Sequence, residues 1–128
     1  MNNMPSAALL IVMLLLAPVF AQDHSHHPPQ DQHLHDLFYN SWRMPNGGQP
    51  RVSSCCSSQD CYPSAIELRE GRYYARRRED GAWIQIPAWK LEHNQEDPRE
   101  SPDGQSHVCM PPPGHGNGVY CAVLGGGI

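Results

Sequence analysis

The residues of this sequence whose types and spacing could bind a metal ion are its histidines. Most of them lie close together near the start of the chain: His24, His26, His27, His33 and His35. Imidazole is a good ligand for Zn(II), Cu(II) and Ni(II). The spacing therefore predicts that a histidine-rich arm over residues 22–32, together with the two histidines that follow it, binds one of these metals.

The position of His24 would create a sharper metal site if the chain is cleaved after Ala21. The new terminus, Gln22-Asp23-His24, would offer an amine, backbone amide nitrogens and an imidazole. Four such nitrogens form a square-planar set that suits Cu(II) and Ni(II). The alternatives are a solvated polar linker without a specific ligand, and loss of the amine through cyclisation of Gln22.

Cysteines are the second group that could do chemistry, and all five follow residue 50: Cys55, Cys56, Cys61, Cys109 and Cys121. In an oxidising compartment such cysteines are normally paired, and an odd number leaves one outside any pair. Neighbours such as Cys55 and Cys56 rarely bond to each other, because so small a ring is strained. We therefore expect the early cluster to be tied to the late pair, although the exact pairing stays open.

A reduced metal site is the alternative for the same cysteines. His107 and Cys109 would lie on one face of a strand, because side chains alternate. Zinc would accept both, with Cys55, Cys56 and Cys61 as further ligands. The sequence has no Cys-x-x-Cys pair, so disulfides are the preferred interpretation.

Catalysis has no specific signature in the sequence. A cysteine nucleophile would need an activating histidine, for which His93 or His107 could serve. The chain contains no thioredoxin-type Cys-x-x-Cys, no Gly-x-Ser-x-Gly and no phosphate-binding loop. A non-enzymatic role is therefore favoured, and an enzymatic one is left open.

The first 21 residues decide the compartment in which these residues would act. Ala7 to Phe20 is an apolar run interrupted by Pro18. It is shorter than the roughly 20 residues that cross a bilayer, and it is typical of a signal peptide ending at Ala21. We expect a secreted or periplasmic protein. The absence of Lys and Arg from residues 1–6 leaves an uncleaved membrane anchor as the alternative.

Charge and length limit the classes of partner. The formal net charge of −4 argues against nucleic acid, whose partners are usually basic, and gives no reason to expect an anionic membrane. The 107 residues after position 21 (128 − 21) suffice for one domain. Beside metal binding, the alternative function is a disulfide-stabilised module that binds an envelope protein through an exposed apolar patch.

The elements that must position these residues begin with a predicted helix over 33–42. Leu34, Leu37, Phe38 and Trp42 make one apolar stripe at helical spacing. Asp31 could cap the start of this helix. The proline and glycines of residues 45–48 should end it.

Alternating apolar and polar residues predict a three-stranded antiparallel meander over 65–69, 72–78 and 83–86, with turns at Glu70-Gly71 and Asp80-Gly81. Short strands are predicted within 106–110 and 119–124, and loops over 51–63, 92–105 and 111–118. The predicted fold is a small, loop-rich α+β domain over 33–124, with an N-terminal helix on the meander, disulfide staples and a tail over 125–128.

Two further groups of side chains are expected to be structural. The tryptophans should be core or cover residues, because aliphatic residues are sparse: Trp42, Trp83 and Trp89. The basic run of residues 76–78 should be a solvated strand edge that pairs locally with Glu79 and Asp80.

Several segments together resemble small exported bacterial proteins of uncharacterised activity. These proteins share a Ser-Cys-Cys, Asp-Cys and Asp-Gly-x-x-His-x-Cys pattern, which corresponds here to residues 54–56, 60–61 and 103–109. The aromatic helix before the cysteines and the strand from Trp83 to Pro87 are similar too. The resemblance covers about residues 34–121, implies export and a single domain, and assigns no catalytic residue.

Overall fold

The structure is a computed structural model that describes residues 32–56, 60–116 and 118–126. The predicted signal peptide, the cap at Asp31 and the arm histidines His24, His26 and His27 lie outside the described residues. Within the described ranges, no helix has the length and apolar character needed to cross a membrane.

The N-terminal helical segment is shorter and less regular than its apolar stripe predicts. Helix α1 covers Gln32–Leu37, and a 3₁₀ turn covers Tyr39–Ser41. Phe38 and Trp42 are buried as predicted, but Leu37 is 54 % exposed. The chain changes from an α-helix to a 3₁₀ turn after Leu37, which rotates the residues that follow. The fully buried Tyr39 therefore enters the core instead of Leu37.

In the part of the chain that the structure describes, six short strands follow, and they form two antiparallel three-stranded sheets. Their bounds are β1 Cys61–Pro63, β2 Ile66–Arg69, β3 Arg72–Arg76, β4 Trp83–Ile86, β5 His107–Cys109 and β6 Cys121–Val123. Together with α1 and the disulfides described below, they confirm the predicted small α+β fold.

The first sheet is the predicted meander, in the order β2-β3-β4. Glu70 and Gly71 both have positive φ, 50° and 77°, at the turn between β2 and β3. Positive φ at both central residues is typical of a type I′ turn, whose twist matches that of the two strands in a hairpin. β3 ends two residues earlier than predicted because Arg77 N–H donates to the Ala82 carbonyl at 2.8 Å, which closes the turn at Asp80-Gly81.

The second sheet, which we call the disulfide sheet, has the order β1-β5-β6. The predictions of strands within 106–110 and 119–124 are confirmed, with narrower bounds. The interpretation of residues 51–63 as a loop throughout is wrong at its end, where β1 begins at Cys61. β1 lies at the edge of the sheet, where a strand tolerates a proline such as Pro63.

Both disulfides join the early cysteines to the late ones, as expected. Cys55 bonds to Cys121, and Cys61 bonds to Cys109, the residue directly opposite it on β5. Cys56 belongs to neither bridge. These bridges indicate an oxidising compartment.

The disulfide sheet is the central layer of three. One face carries the cysteines and packs against the aromatic residues of the helical segment: Phe38, Tyr39 and Trp42. The other face carries Tyr62, Val108 and Ala122 and packs against Ala75 and Ile86 of the meander. The helical segment therefore packs on the disulfide sheet, and its predicted position on the meander is wrong. The disulfide sheet lies between the two, and each sheet buries its apolar face in this way.

Candidate functional site

The cysteines form a covalent framework and not a metal site. Cys55, Cys61 and Cys109 are all consumed by disulfides, so the alternative of a reduced Cys/His site with Cys56 and His107 is wrong. A cysteine binds zinc as a thiolate, which a bridged cysteine cannot provide. Among the residues that the structure describes, no group of three or more His, Cys, Asp or Glu side chains could hold a metal ion.

The two described histidines of the predicted metal arm are not brought together by α1. His33 is exposed and His35 is half-buried. Residues two apart on a helix point in different directions. The helix alone therefore does not build a metal site from these two side chains, and the other three candidate ligands lie outside the described residues.

A hydrogen-bonded chain links the buried Tyr39 and His107 to Asp103 at the surface. His107 lies on β5 and is fully buried. Its Nδ1 lies 2.8 Å from the Tyr39 hydroxyl oxygen, and its Nε2 lies 2.7 Å from Asp103 Oδ1. Because both ring nitrogens are occupied and no surface of the imidazole is open, His107 cannot serve as a base for a bound substrate.

The position of Asp103 explains the Asp-Gly-x-x-His pattern. Gly104 has φ of 78°, which turns the chain so that Asp103 reaches back to His107. Partial burial of Asp103 disfavours the charged form of its carboxyl and by itself would raise the pKa. The hydrogen bonds from His107 and from the Gln105 N–H outweigh this effect, and the pKa of the carboxyl is lowered from its ordinary value. The Asp-Gly-x-x-His motif therefore holds the loop before β5 against that strand.

A buried carboxylate, that of Glu92, links three segments of the chain. It is 1 % exposed and accepts hydrogen bonds from Trp42 Nε1 at 2.7 Å and from the Arg99 N–H at 3.0 Å. Arg51 contributes an ion pair to the same carboxylate. Each lone pair and charge has a partner, as a buried ion requires, so this cluster is structural.

The clearest exposed apolar surface surrounds Trp89. Trp89 lies in the 3₁₀ turn Ala88–Lys90 that follows β4, and it is 54 % exposed. Val52, which is 77 % exposed, lines the same small cavity of about 180 Å³, together with Met44 and Lys90. We call these four residues the Trp89 surface. The expectation that Trp89 is a core or cover residue is wrong, because the chain turns out of β4 at Pro87 before the indole can pack on either sheet.

Polar and charged groups frame the Trp89 surface. Lys90 Nζ lies 4.3 Å from the centre of the Trp89 ring, and partial burial lowers the pKa of this ammonium. A larger groove of about 680 Å³ also borders Trp89 and is lined by Asn94, Glu96 and Asp97. An apolar centre with a polar rim is the usual anatomy of a protein interface.

The remaining predictions concern the basic run of residues 76–78, Trp42 and His93. Local charge pairing in the basic run is confirmed, since Arg77 pairs with Asp80 at 2.7 Å and Arg78 lies 3.7 Å from Glu79. Trp42 is fully buried in the core, as expected. His93, the other proposed activating histidine, is exposed and packs its ring edge-on against Tyr73.

Sequence reasoning missed the role of Glu92 and the exposure of Trp89. A signal existed for Trp89, because Pro87 precedes it by two residues and ends the strand. Glu92 gives no such signal, since its partners Trp42 and Arg51 are about 40 to 50 positions away.

No protein-family model, curated protein or solved structure matches the chain.

Proposed function

We propose that the protein is an exported, non-enzymatic module that binds a protein of the cell envelope through the Trp89 surface. The single observation behind this proposal is that Trp89 and Val52 line one cavity while both remain largely exposed. Clustered exposed apolar side chains with a polar rim are typical of protein interaction sites. The two disulfides, and the resemblance to small exported bacterial proteins, support a secreted or periplasmic location.

The dimensions of the cavity define what the partner must present. A cavity of about 150 Å³ accepts a benzene-sized group, and the cavity beside Trp89 measures about 180 Å³. It therefore suits one large apolar side chain of the partner. Exposed Glu96 and Asp97 border the neighbouring groove, so a basic residue next to that apolar side chain would complement them.

Site-specific photo-crosslinking in intact cells would test this proposal. A crosslinking residue at Val52 should capture one envelope protein, and the adduct should disappear in the Trp89→Ala background. The matched control is the same crosslinking residue at Leu68, which is 59 % exposed but lies on the meander. Identical adducts from both positions, or adducts that survive Trp89→Ala, would contradict the proposal.

The purified pair would then give the size of the effect. Trp89→Ala should weaken binding by about 2 kcal/mol, or roughly thirtyfold in Kd, as tryptophans at interface centres do. Unchanged affinity in a variant with native circular dichroism would rule out the Trp89 surface as the binding site.

The export part of the proposal has its own measurements. Amino-terminal sequencing of the protein from the cell exterior or periplasm should find Gln22 as the first residue. Thiol counting in denaturant without reductant should find one reactive thiol, because four of the five cysteines are bridged. A start at Met1 would contradict cleavage after Ala21, and five reactive thiols would contradict an oxidising compartment.

Metal binding by the histidine-rich arm is a second candidate function. The observation that favours it is the Gln22-Asp23-His24 sequence at the predicted cleavage point, which lies outside the described residues. Cu(II) titrated into the mature chain should bind more tightly than to its His24→Ala variant. Affinity should fall as pH drops through about 6.5, because protonated imidazole cannot ligate. Equal, weak binding by both chains would rule out this site.

A further inference from the structure

The meander has a solvent-facing side whose composition its packing does not explain. The register pairs Glu67 with Tyr74, Arg69 with Arg72 and Arg76 with Trp83, so these side chains share one face. We call this set the outer meander face, and every member is exposed or half-buried: Glu67, Arg69, Arg72, Tyr74, Arg76 and Trp83. Gln85, which lies opposite Tyr74, is exposed on the same face. The opposite face of the meander carries the core residues Ala75 and Ile86.

The outer meander face is basic on an acidic protein. Three arginines and one glutamate give this face a formal charge of +2 (3 − 1), whereas the whole chain carries −4. Arg69 lies directly opposite Arg72, and like charges in that arrangement destabilise a sheet. A local conflict of this kind is expected where a surface serves binding more than stability.

Arg69 is held in place before any ligand arrives. Its guanidinium donates two hydrogen bonds to Glu67 Oε2, at 2.9 and 2.7 Å, and stacks 4.6 Å from the centre of the Trp83 ring. A guanidinium stacked on an aromatic ring keeps its remaining N–H groups free to bind oxyanions. The side-chain entropy that binding would otherwise cost is thereby reduced.

The spacing of the arginines selects an extended ligand. Arg69 and Arg72 lie together at the Glu70-Gly71 end of the hairpin, whereas Arg76 lies four residues along β3 from Arg72. Four residues of strand span about 13 Å. A single small anion cannot reach both ends of this face, but a polymer with repeated anionic groups can.

We propose that the outer meander face binds an acidic polysaccharide chain through ion pairs between its arginines and the carboxylates of the chain. The choice of a polysaccharide rests on the exported location in the proposed function. Arg69 lies over both aromatic rings, at 4.6 and 5.8 Å, so neither ring is an open platform for stacking nucleic-acid bases. The face has no exposed aliphatic side chain to insert into a bilayer, which membrane-surface binding requires.

Titration calorimetry of the mature protein with polygalacturonate oligomers at low salt tests this assignment. Wild-type protein should bind, and affinity should fall as salt increases. Arg72→Gln and Arg76→Gln should each weaken binding at least about tenfold, as loss of a charged hydrogen bond predicts. Arg43→Gln is the matched control with the same change of charge, and it lies outside the meander; its affinity should be that of wild type.

Three comparisons could overturn the assignment. Tighter binding of polyglutamate, single-stranded DNA or anionic vesicles than of polygalacturonate would assign the face to another class of partner. An equal loss of affinity in Arg43→Gln would show that the effect comes from the net charge of the protein and not from the outer meander face. The melting temperature of Arg72→Gln should be at or above that of wild type, since the Arg69–Arg72 repulsion is relieved, and a clear decrease would make the arginine structural.

Trp89→Ala should leave polygalacturonate binding unchanged, so failure of this inference is distinguishable from failure of the Trp89 surface.

Discussion

At the scale of single residues, the core depends on polar groups that are buried with their partners. His107 has no exposed surface, and its two ring nitrogens are occupied by Tyr39 and Asp103. Leaving a buried polar atom without a partner costs more than a made hydrogen bond contributes. The hydroxyl of Tyr39 should therefore matter more than an ordinary tyrosine hydroxyl.

We expect Tyr39→Phe to lower the free energy of unfolding by about 1–3 kcal/mol, because His107 Nδ1 loses its partner inside the core. Urea unfolding followed by circular dichroism measures this loss. Tyr73→Phe removes the same atom from a half-buried side chain and should change stability by at most about 0.5 kcal/mol. Equal losses in the two variants would mean that the hydrogen bond to His107 is not the cause.

The lowered pKa of Asp103 predicts an acid-dependent contribution to stability. A carboxyl whose folded pKa lies below its ordinary value of 3.8 stabilises the fold above that value. The stabilisation is lost as pH falls through the folded pKa. The free energies of unfolding of wild type and Asp103→Asn should therefore differ most at neutral pH and converge at acid pH, below the ordinary carboxyl value of 3.8. Curves that stay parallel from neutral to acid pH would contradict this linkage.

The sequence could predict the disulfide partners better than the buried hydrogen bonds. Five cysteines in two groups leave few sensible pairings, and the structure has Cys55–Cys121 and Cys61–Cys109. Tyr39 and His107 are separated by 68 positions, and neither residue type demands a particular partner. Their hydrogen bond follows from the packing of the helical segment on β5, which periodicity does not reveal.

At the scale of elements, β6 is followed by the glycine that, among the described glycines, has the least room for a side chain. A Cβ placed on Gly125 would collide with the carbonyl oxygen of Gly104, and Gly125 N–H donates to Ser106 Oγ at 2.9 Å. Backbone cannot move aside as the end of a flexible side chain can. Glycine is therefore required at position 125 by space and not by its φ angle.

Gly125→Ala should lower the free energy of unfolding by about 1–3 kcal/mol, the range for overpacked sites. Gly126→Ala is the matched control, because a Cβ there would meet no atom within 4 Å. Thermal unfolding of both variants gives the comparison. Similar melting temperatures for the two variants would contradict this prediction, because they would show that the backbone of residues 104–106 can shift at little cost in free energy.

Element boundaries were predictable where alternation was strong and were missed where strands were short. The meander has four or five residues in each strand and clear turns, and its predicted positions are confirmed. β1 has only three residues, ends in a proline and exists because β5 offers it hydrogen-bonding partners. Such a strand is defined by its tertiary partner more than by its own sequence.

At the scale of the whole molecule, covalent links supplement a thin three-layer core. The central disulfide sheet is tied to the 42–56 segment by Cys55–Cys121 and is bridged across β1 and β5 by Cys61–Cys109. Small domains with limited apolar burial commonly depend on such links. Their removal should have a larger effect than any single hydrogen bond.

Cys61→Ala combined with Cys109→Ala should lower the free energy of unfolding by about 2–5 kcal/mol, as loss of a native disulfide does. Cys56→Ser leaves both bridges in place and should cost no more than about 1 kcal/mol. Denaturant unfolding without reductant measures both variants. A large loss in Cys56→Ser alone would indicate that Cys56, and not a neighbour, forms one of the bridges.

The two bridges are nested, since the loop closed by Cys61 and Cys109 lies within the loop closed by Cys55 and Cys121. A single cut by a protease anywhere between residues 62 and 108 would therefore release no fragment. The nicked protein would keep its mass apart from one added water and would migrate as one species until reductant is added. Release of a peptide from this region in an oxidising compartment would need either a reductase or at least two cuts within the same loop.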